Sequence, residues 1–129
     1  MNPKSAIEKG KRLEKFIIQQ LEESGVDDMA SRTPGSGSGK RKGDIWTKIG
    51  WTIEAKHEKH PQWWKNIDQS KEQAQKSNFN PDNWVLVVND PKKAEFQNVY
   101  AVIDFWKLLE LIKSSQNPIS KEPDREMKY

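Results

Sequence analysis

The chain has 129 residues, a mass of 15.0 kDa and no cysteine, which leaves room for one hydrophobic core and excludes disulfides and thiolate zinc sites. Hydrophobic residues make up 33% and charged residues 32%, with no run long enough to span a membrane and no secretory stretch at the N-terminus, so a soluble, cytoplasmic protein is expected. The net charge of +3 and a pI near 9.0 suit a polyanionic partner.

Ser5-Ala6-Ile7-Glu8 has the form of a capping box and predicts a helix from Ser5 to about Glu23. Leu13, Phe16, Ile17, Gln20 and Leu21 recur at helical spacing, and Gly25 stands where a C-terminal cap belongs. Glu14 borders this stripe. Taken alone it is an exposed helix glutamate; a role at a site depends on how the helix meets the sheet. Val26 to Arg32 reads as a short strand. The Gly/Ser-rich segment from Thr33 to Gly43 lacks the spacing of a P-loop. Read blandly it is a flexible linker, but its glycines let backbone N–H groups approach phosphates, and its Ser36 and Ser38 hydroxyls and Lys40, Arg41 and Lys42 charges favour contact with a nucleic-acid phosphate backbone.

Ile45-Trp46-Thr47 and Trp51-Thr52-Ile53 flank Gly50, which predicts a hairpin. In its second strand Thr52, Glu54 and Lys56 point one way and Trp51, Ile53 and Ala55 the other. His57 and His60 have no further cluster to complete a zinc site, so a solvated or phosphate-facing position is expected for both. Pro61 marks the start of a second helix, with Trp64, Ile67, Lys71, Ala74 and Asn78 on one stripe; Gln69 and Gln73 lie one turn apart on a neighbouring face, where a solvated position is favoured over contact with the site. Trp63 and Trp64 are suited to stacking on unpaired bases or to packing in a core or dimer interface.

Trp84-Val85-Leu86-Val87-Val88 is an apolar run suited to a strand covered on both faces, and Tyr100 to Ile103 reads as another strand. Asp104 is placed to cap a last helix through about Ser114, with Phe105, Leu108, Leu109 and Ile112 on its apolar side. The chain is therefore expected to form one domain over residues 1–115, with a flexible tail over 116–129.

The chemistry concentrates where Asp44 precedes Glu54-Ala55-Lys56 by nine intervening residues. The hairpin brings Asp44 beside Glu54 and Lys56, so two hard oxygen ligands and an ammonium converge. Mg²⁺ prefers carboxylate oxygens, keeps several waters and completes its shell with substrate phosphate. The ion polarises a phosphodiester and acidifies a bound water, while a nearby lysine orients or deprotonates that water or offsets developing charge. A Glu-x-Lys triplet alone more often decorates a solvated hairpin. Asp44, the glycine-rich segment before it and Glu14 favour the catalytic reading.

The order helix, weak strand, Asp strand, Glu-x-Lys strand, helix, strand resembles the core of the PD-(D/E)xK restriction-endonuclease-like superfamily, with Gly43-Asp44 in place of Pro-Asp. Lys9-Gly10-Lys11-Arg12-Leu13-Glu14 and Ser31-Arg32-Thr33-Pro34-Gly35-Ser36-Gly37 resemble the archaeal-type Holliday junction resolvases, and the Asp44 to Glu54 spacing is similar to that of phage endonuclease I resolvases. The likeness spans roughly residues 9 to 103. The basic extension Ser38 to Lys42 and the tryptophan-rich segment after Lys56 depart from the family pattern. The resemblance implies an α/β fold with an αβββαβ core and a mixed central sheet flanked by helices. It makes Glu14, Asp44 and Glu54 the acidic site residues, Lys56 the catalytic lysine and the Ala55 carbonyl a metal ligand. Lys11, Arg12, Arg32 and Ser36 become DNA contacts. The implied activity is that of a Mg²⁺-dependent endodeoxyribonuclease, with Mn²⁺ able to substitute, acting as a homodimer on four-way DNA junctions. A duplex-specific restriction or repair nuclease and a non-catalytic nucleic-acid-binding module are the competing readings.

Overall fold

In the computed structural model, which describes residues 3–33 and 44–116, the first helix, α1, runs Pro3–Glu23. It begins before Ser5, so the capping box does not set its start; Pro3 occupies the first turn, where a missing N–H is tolerated. Its end follows the sequence signal. Gly25 adopts φ 77°, its N–H donates to the Glu22 carbonyl, and the Val26 N–H donates to that of Leu21, each at 3.0 Å. This pair of bonds is a Schellman closure, which needs the left-handed residue glycine supplies.

Five strands follow in one sheet of order β1-β2-β3-β4-β5: β1 Ser31–Arg32, β2 Ile45–Trp46, β3 Thr52–Lys56, β4 Trp84–Asn89 and β5 Val99–Val102. Only β3 and β4 pair in parallel, with α2 (Trp63–Lys76) as their crossover; the other neighbours are antiparallel. The helix α3 (Phe105–Ser115) ends the described chain. The fold is mixed α/β, and its elements follow the expected order of helix, three strands, helix and strand. No helix among the described residues is long and apolar enough to cross a membrane.

Strand β1 is shorter than the Val26 to Arg32 run because Asp27 uses that stretch differently. Its buried carboxylate accepts N–H bonds from Met29 at 2.8 Å, Lys48 at 2.6 Å and Ile49 at 3.1 Å, pinning the end of α1 to the hairpin turn. Burial raises the pKa of that carboxyl, but the three backbone N–H groups outweigh it and hold Asp27 below the usual carboxylate range. The hairpin forms as predicted. Gly50 takes φ 83°, and the Thr47 hydroxyl both donates to the Trp51 carbonyl and accepts from its N–H.

The core joins Leu13 and Ile17 of α1 to Ile45, Ile53 and Ala55 of the sheet, with Phe16, Ile18 and Leu21 at its margin. Gln20, expected on that stripe, is exposed. The second helix departs further. Trp64 is 80% exposed, Lys71 and Asn78 are also exposed, and the buried stripe is Asn66, Ser70 and Ala74. The face that α2 covers explains the difference, because β3 presents Thr52 and Glu54 there, and both need small or hydrogen-bonding neighbours rather than tryptophan.

Strand β4 lies between β3 and β5, with Trp84, Leu86 and Val88 buried and Val85 and Val87 packed against the α1 core. After β4, Asn89 accepts the N–H of Phe96, which sits at φ 65° and stacks its ring on Phe16 with centroids 4.6 Å apart. A left-handed conformation is costly for an aromatic residue, so this stack and hydrogen bond hold it in place. Asp104 caps α3 as expected, accepting N–H bonds from Trp106 and Lys107. None of the α3 residues is buried, and its apolar side chains Phe105, Leu108, Leu109 and Ile112 are exposed.

Candidate active site

Antiparallel pairing of Ile45 with Ile53 sets Asp44 opposite Glu54. The Asp44 N–H donates to the Ile53 carbonyl at 2.9 Å, and its carboxylate turns back to accept the Ala55 N–H at 2.8 Å. Glu54 and Lys56 leave β3 on the same face, two residues apart. On the opposite side of the sheet α1 places Glu14 next to its buried Leu13 and Ile17. These residues meet in an open cleft of about 530 Å³, lined by Glu14, Asp44, Glu54, Ala55 and Lys56, with Lys11, Arg32 and Gln69 also on its wall.

Glu54 is 4% exposed, which rules out the solvated hairpin. One of its oxygens, Oε2, accepts from the Gln69 side-chain amide at 3.0 Å; the other, Oε1, is buried without a protein hydrogen-bond partner. Burial first, and then the negative charge of Asp44, push its carboxyl up to about 8, against the opposing pull of Lys56. Asp44 is raised too, by its own burial and by Glu14, although the Ala55 N–H acts the other way. Two acids in one low-dielectric cleft cannot both ionise cheaply, so the pair holds a proton near neutrality unless a cation replaces it.

Glu14 is buried but already engaged, since Arg32 Nε donates to its carboxylate. Among the described residues no three Asp, Glu, His or Cys side chains form a group that could hold a metal ion by themselves. The residues that could contribute to such a site are the Asp44 and Glu54 pair, with the Ala55 carbonyl as a backbone addition. Such a set suits Mg²⁺, which takes one or two carboxylates and fills its shell with water and phosphate. The unpartnered Glu54 oxygen and the raised pair fit that donor chemistry.

Arg12 does not line the cleft. Its guanidinium bonds Glu95 with contacts of 2.8 to 3.3 Å, and His57 Nε2 meets the same carboxylate at 2.7 Å. Arg12 foremost, with His57 assisting against burial, pulls Glu95 down to about 2. His57 is thus buried against Phe96 rather than facing solvent or phosphate, whereas His60 is exposed. Ser36, Ser38, Lys40, Arg41 and Lys42 lie outside the described residues.

Two residues of this neighbourhood depart from the reading the sequence favours or go without one. Gln69, for which solvent is favoured over the site, holds Glu54. A signal for it exists: Asn66, Gln69, Ser70, Gln73 and Ala74 form an uncharged stripe on a helix otherwise carrying Lys65, Asp68, Lys71, Glu72 and Lys76. An uncharged polar stripe indicates a helix facing a buried polar floor. Glu95 has no comparable signal, because its partner Arg12 lies 83 positions away. Comparison with protein-family models, with curated proteins and with solved structures returned no match to this chain.

Proposed function

We propose that the chain is a metal-dependent, structure-selective DNA endonuclease with a restriction-endonuclease-like αβββαβ core, acting as a pair of chains on branched or four-way DNA. The observation that carries this reading is the pairing of the buried Glu54, raised to about 8, with the half-buried Asp44 in the same open cleft as Lys56. A module that only bound DNA would gain nothing from two adjacent acids facing phosphates of like charge. A site that works with a divalent cation needs them.

Asp44, Glu54 and the Ala55 carbonyl would hold Mg²⁺ or Mn²⁺, with Glu14 close by. When bound, the ion would supply a Lewis acid for the phosphodiester and an acidified water. Lys56, on the same face as Glu54, would orient an attacking water or take its proton, and its charge would offset negative charge building on the phosphorus oxygens. Gln69 fixes the rotation of Glu54 through Oε2, and Oε1 has no protein hydrogen-bond partner, so Glu54 would be held in place as a ligand. Arg32 and Lys11 give the cleft wall positive charge for phosphates, and Arg32 also offsets Glu14. Lys40, Arg41 and Lys42 would extend this grip along the backbone.

The test compares four-way junction, flap and linear duplex substrates in Mg²⁺, with binding measured in Ca²⁺. Preferential paired cutting of the junction is the expected result. Equal cutting of linear duplex would leave a duplex nuclease on the same site, and no metal-dependent cutting of any substrate would refute the enzyme.

A further inference from the structure

An 11-residue helix is marginal in water unless a face is packed, yet α3 buries none of its residues. Phe105, Trp106, Leu108, Leu109, Leu111 and Ile112 are between 39% and 72% exposed. At roughly 200 Å² for a full side chain, these fractions leave on the order of 600 Å² of apolar surface in water. That matches the largest patch of an ordinary monomer, and here it sits on one short helix. Strand β5, which leads into α3, is the outer strand of the sheet. Its sequence Val99-Tyr100-Ala101-Val102 contains none of the charges or prolines that usually protect an edge.

The segments of the sequence outside the described residues are poor in apolar side chains. Residues 34–43 contain no large apolar side chain, and residues 117–129 contain only Ile119, Met127 and Tyr129 among six charged residues. A polyanion has little to grip either, since residues 104–115 carry two acids and two bases and Lys107 pairs with Glu110 at 2.9 Å. A neutral apolar patch fits another protein surface of the same kind. Twofold symmetry would double the buried area to on the order of 1,200 Å², the lower end for a stable specific interface, before any polar rim is added.

We propose that α3 and the adjoining edge strand β5 form the surface through which two copies of this chain associate. The choice of a second copy over an unrelated protein rests on the endonuclease reading, because one cleft per chain cannot cut two strands of a junction in a single encounter.

The experiment is sedimentation of the full chain and of the double variant Leu109→Glu/Ile112→Glu at micromolar concentration, with Met29→Glu as a control at an exposed apolar residue elsewhere. Because neither substituted α3 residue is buried, circular dichroism should report an unchanged fold. The unsubstituted chain and the control should have twice the 15.0 kDa chain mass, and the double variant should dissociate roughly 100-fold more readily. A monomeric unsubstituted chain, or a double variant that stays dimeric, overturns the proposal. The same samples on a cruciform plasmid separate this from the function. A dimer that cuts nothing refutes the nuclease and leaves the surface standing, whereas a cutting monomer does the reverse.

Discussion

On β3 an acidic side chain, Glu54, is 4% exposed and one of its oxygens has no protein partner, whereas on α3 the indole of Trp106 is 72% exposed. The two regions invert the usual relation between polarity and burial in opposite senses. Burying a carboxylate disfavours its charged form, and leaving an indole in water forfeits the stabilisation its burial would give. We propose a different complement for each anomaly: a divalent cation for the carboxylate cleft and a second copy of the chain for the apolar helix. The regions also differ in rigidity of definition. The cleft is over-determined by β-pairing, by the Ala55 N–H on Asp44 and by Gln69 on Glu54, while α3 is fixed chiefly by its Asp104 cap.

The largest effect should come from breaking the cleft while sparing the helix. Glu54→Gln and Lys56→Ala should each lower the single-turnover cleavage rate by about 1,000-fold or more, with junction binding in Ca²⁺ largely kept. The mass of the assembly should not change, since neither residue belongs to α3. Rates near those of the unsubstituted chain would remove the catalytic assignment without touching the surface.

Gln69→Ala sharpens the cleft side. It removes the group that fixes Glu54, so the Mn²⁺ concentration for half-maximal cleavage should rise about 10- to 100-fold while DNA affinity stays constant. An unchanged metal requirement would return Gln69 to the solvated role its sequence position implied.

Metal-free stability should also depend on pH in the direction set by Glu54. Its folded pKa, about 8, lies above the ordinary 4.5, so the folded state holds more protons between those values. The stability this proton confers is fully present below pH 4.5 and is lost as pH rises through about 8. Urea denaturation should show stability falling by up to about 1.4 kcal/mol per pH unit between those values, and Glu54→Gln should flatten the profile. A profile as steep in the variant would place the titrating group elsewhere.

The smallest effect concerns neither region directly. Asp27→Asn weakens the bonds to Met29, Lys48 and Ile49 and should lower stability by about 1 to 2 kcal/mol in urea. The pKa of Asp27 is depressed, so its contribution is present above the ordinary carboxylate pKa and fades as pH falls through the folded value. The difference between the two chains should therefore shrink in acid. A gap that is constant with pH would show that packing, not charge, accounts for Asp27.

The cleft was legible in the sequence to the extent that its geometry is local. Alternation along β3 and a short turn at Gly50 are enough to bring Asp44 to Glu54 and Lys56, and the phase of α1 relative to Leu13 and Ile17 carries Glu14 toward the same place. The rotation of α2 was not legible, because a helix with few apolar residues gives no periodic signal; the tryptophan that dominated the expected stripe lies in water. The Arg12, Glu95 and His57 contacts join distant segments and left no short-range trace. For α3 the periodicity identified the apolar side chains but could not say whether anything within the chain would cover them.

Cleavage of a four-way junction across a Mg²⁺ titration, by the unsubstituted chain and by Asp44→Asn, tests the central claim most directly. Asp44 lies opposite Glu54 and shares its cleft, and the amide variant keeps the shape while losing the charge that would hold the ion. The account predicts no cutting in chelator, cutting that saturates with Mg²⁺ in the unsubstituted chain, and none from Asp44→Asn although both bind the junction in Ca²⁺. Cutting that persists in chelator, or that Asp44→Asn performs at the unsubstituted rate, would contradict it.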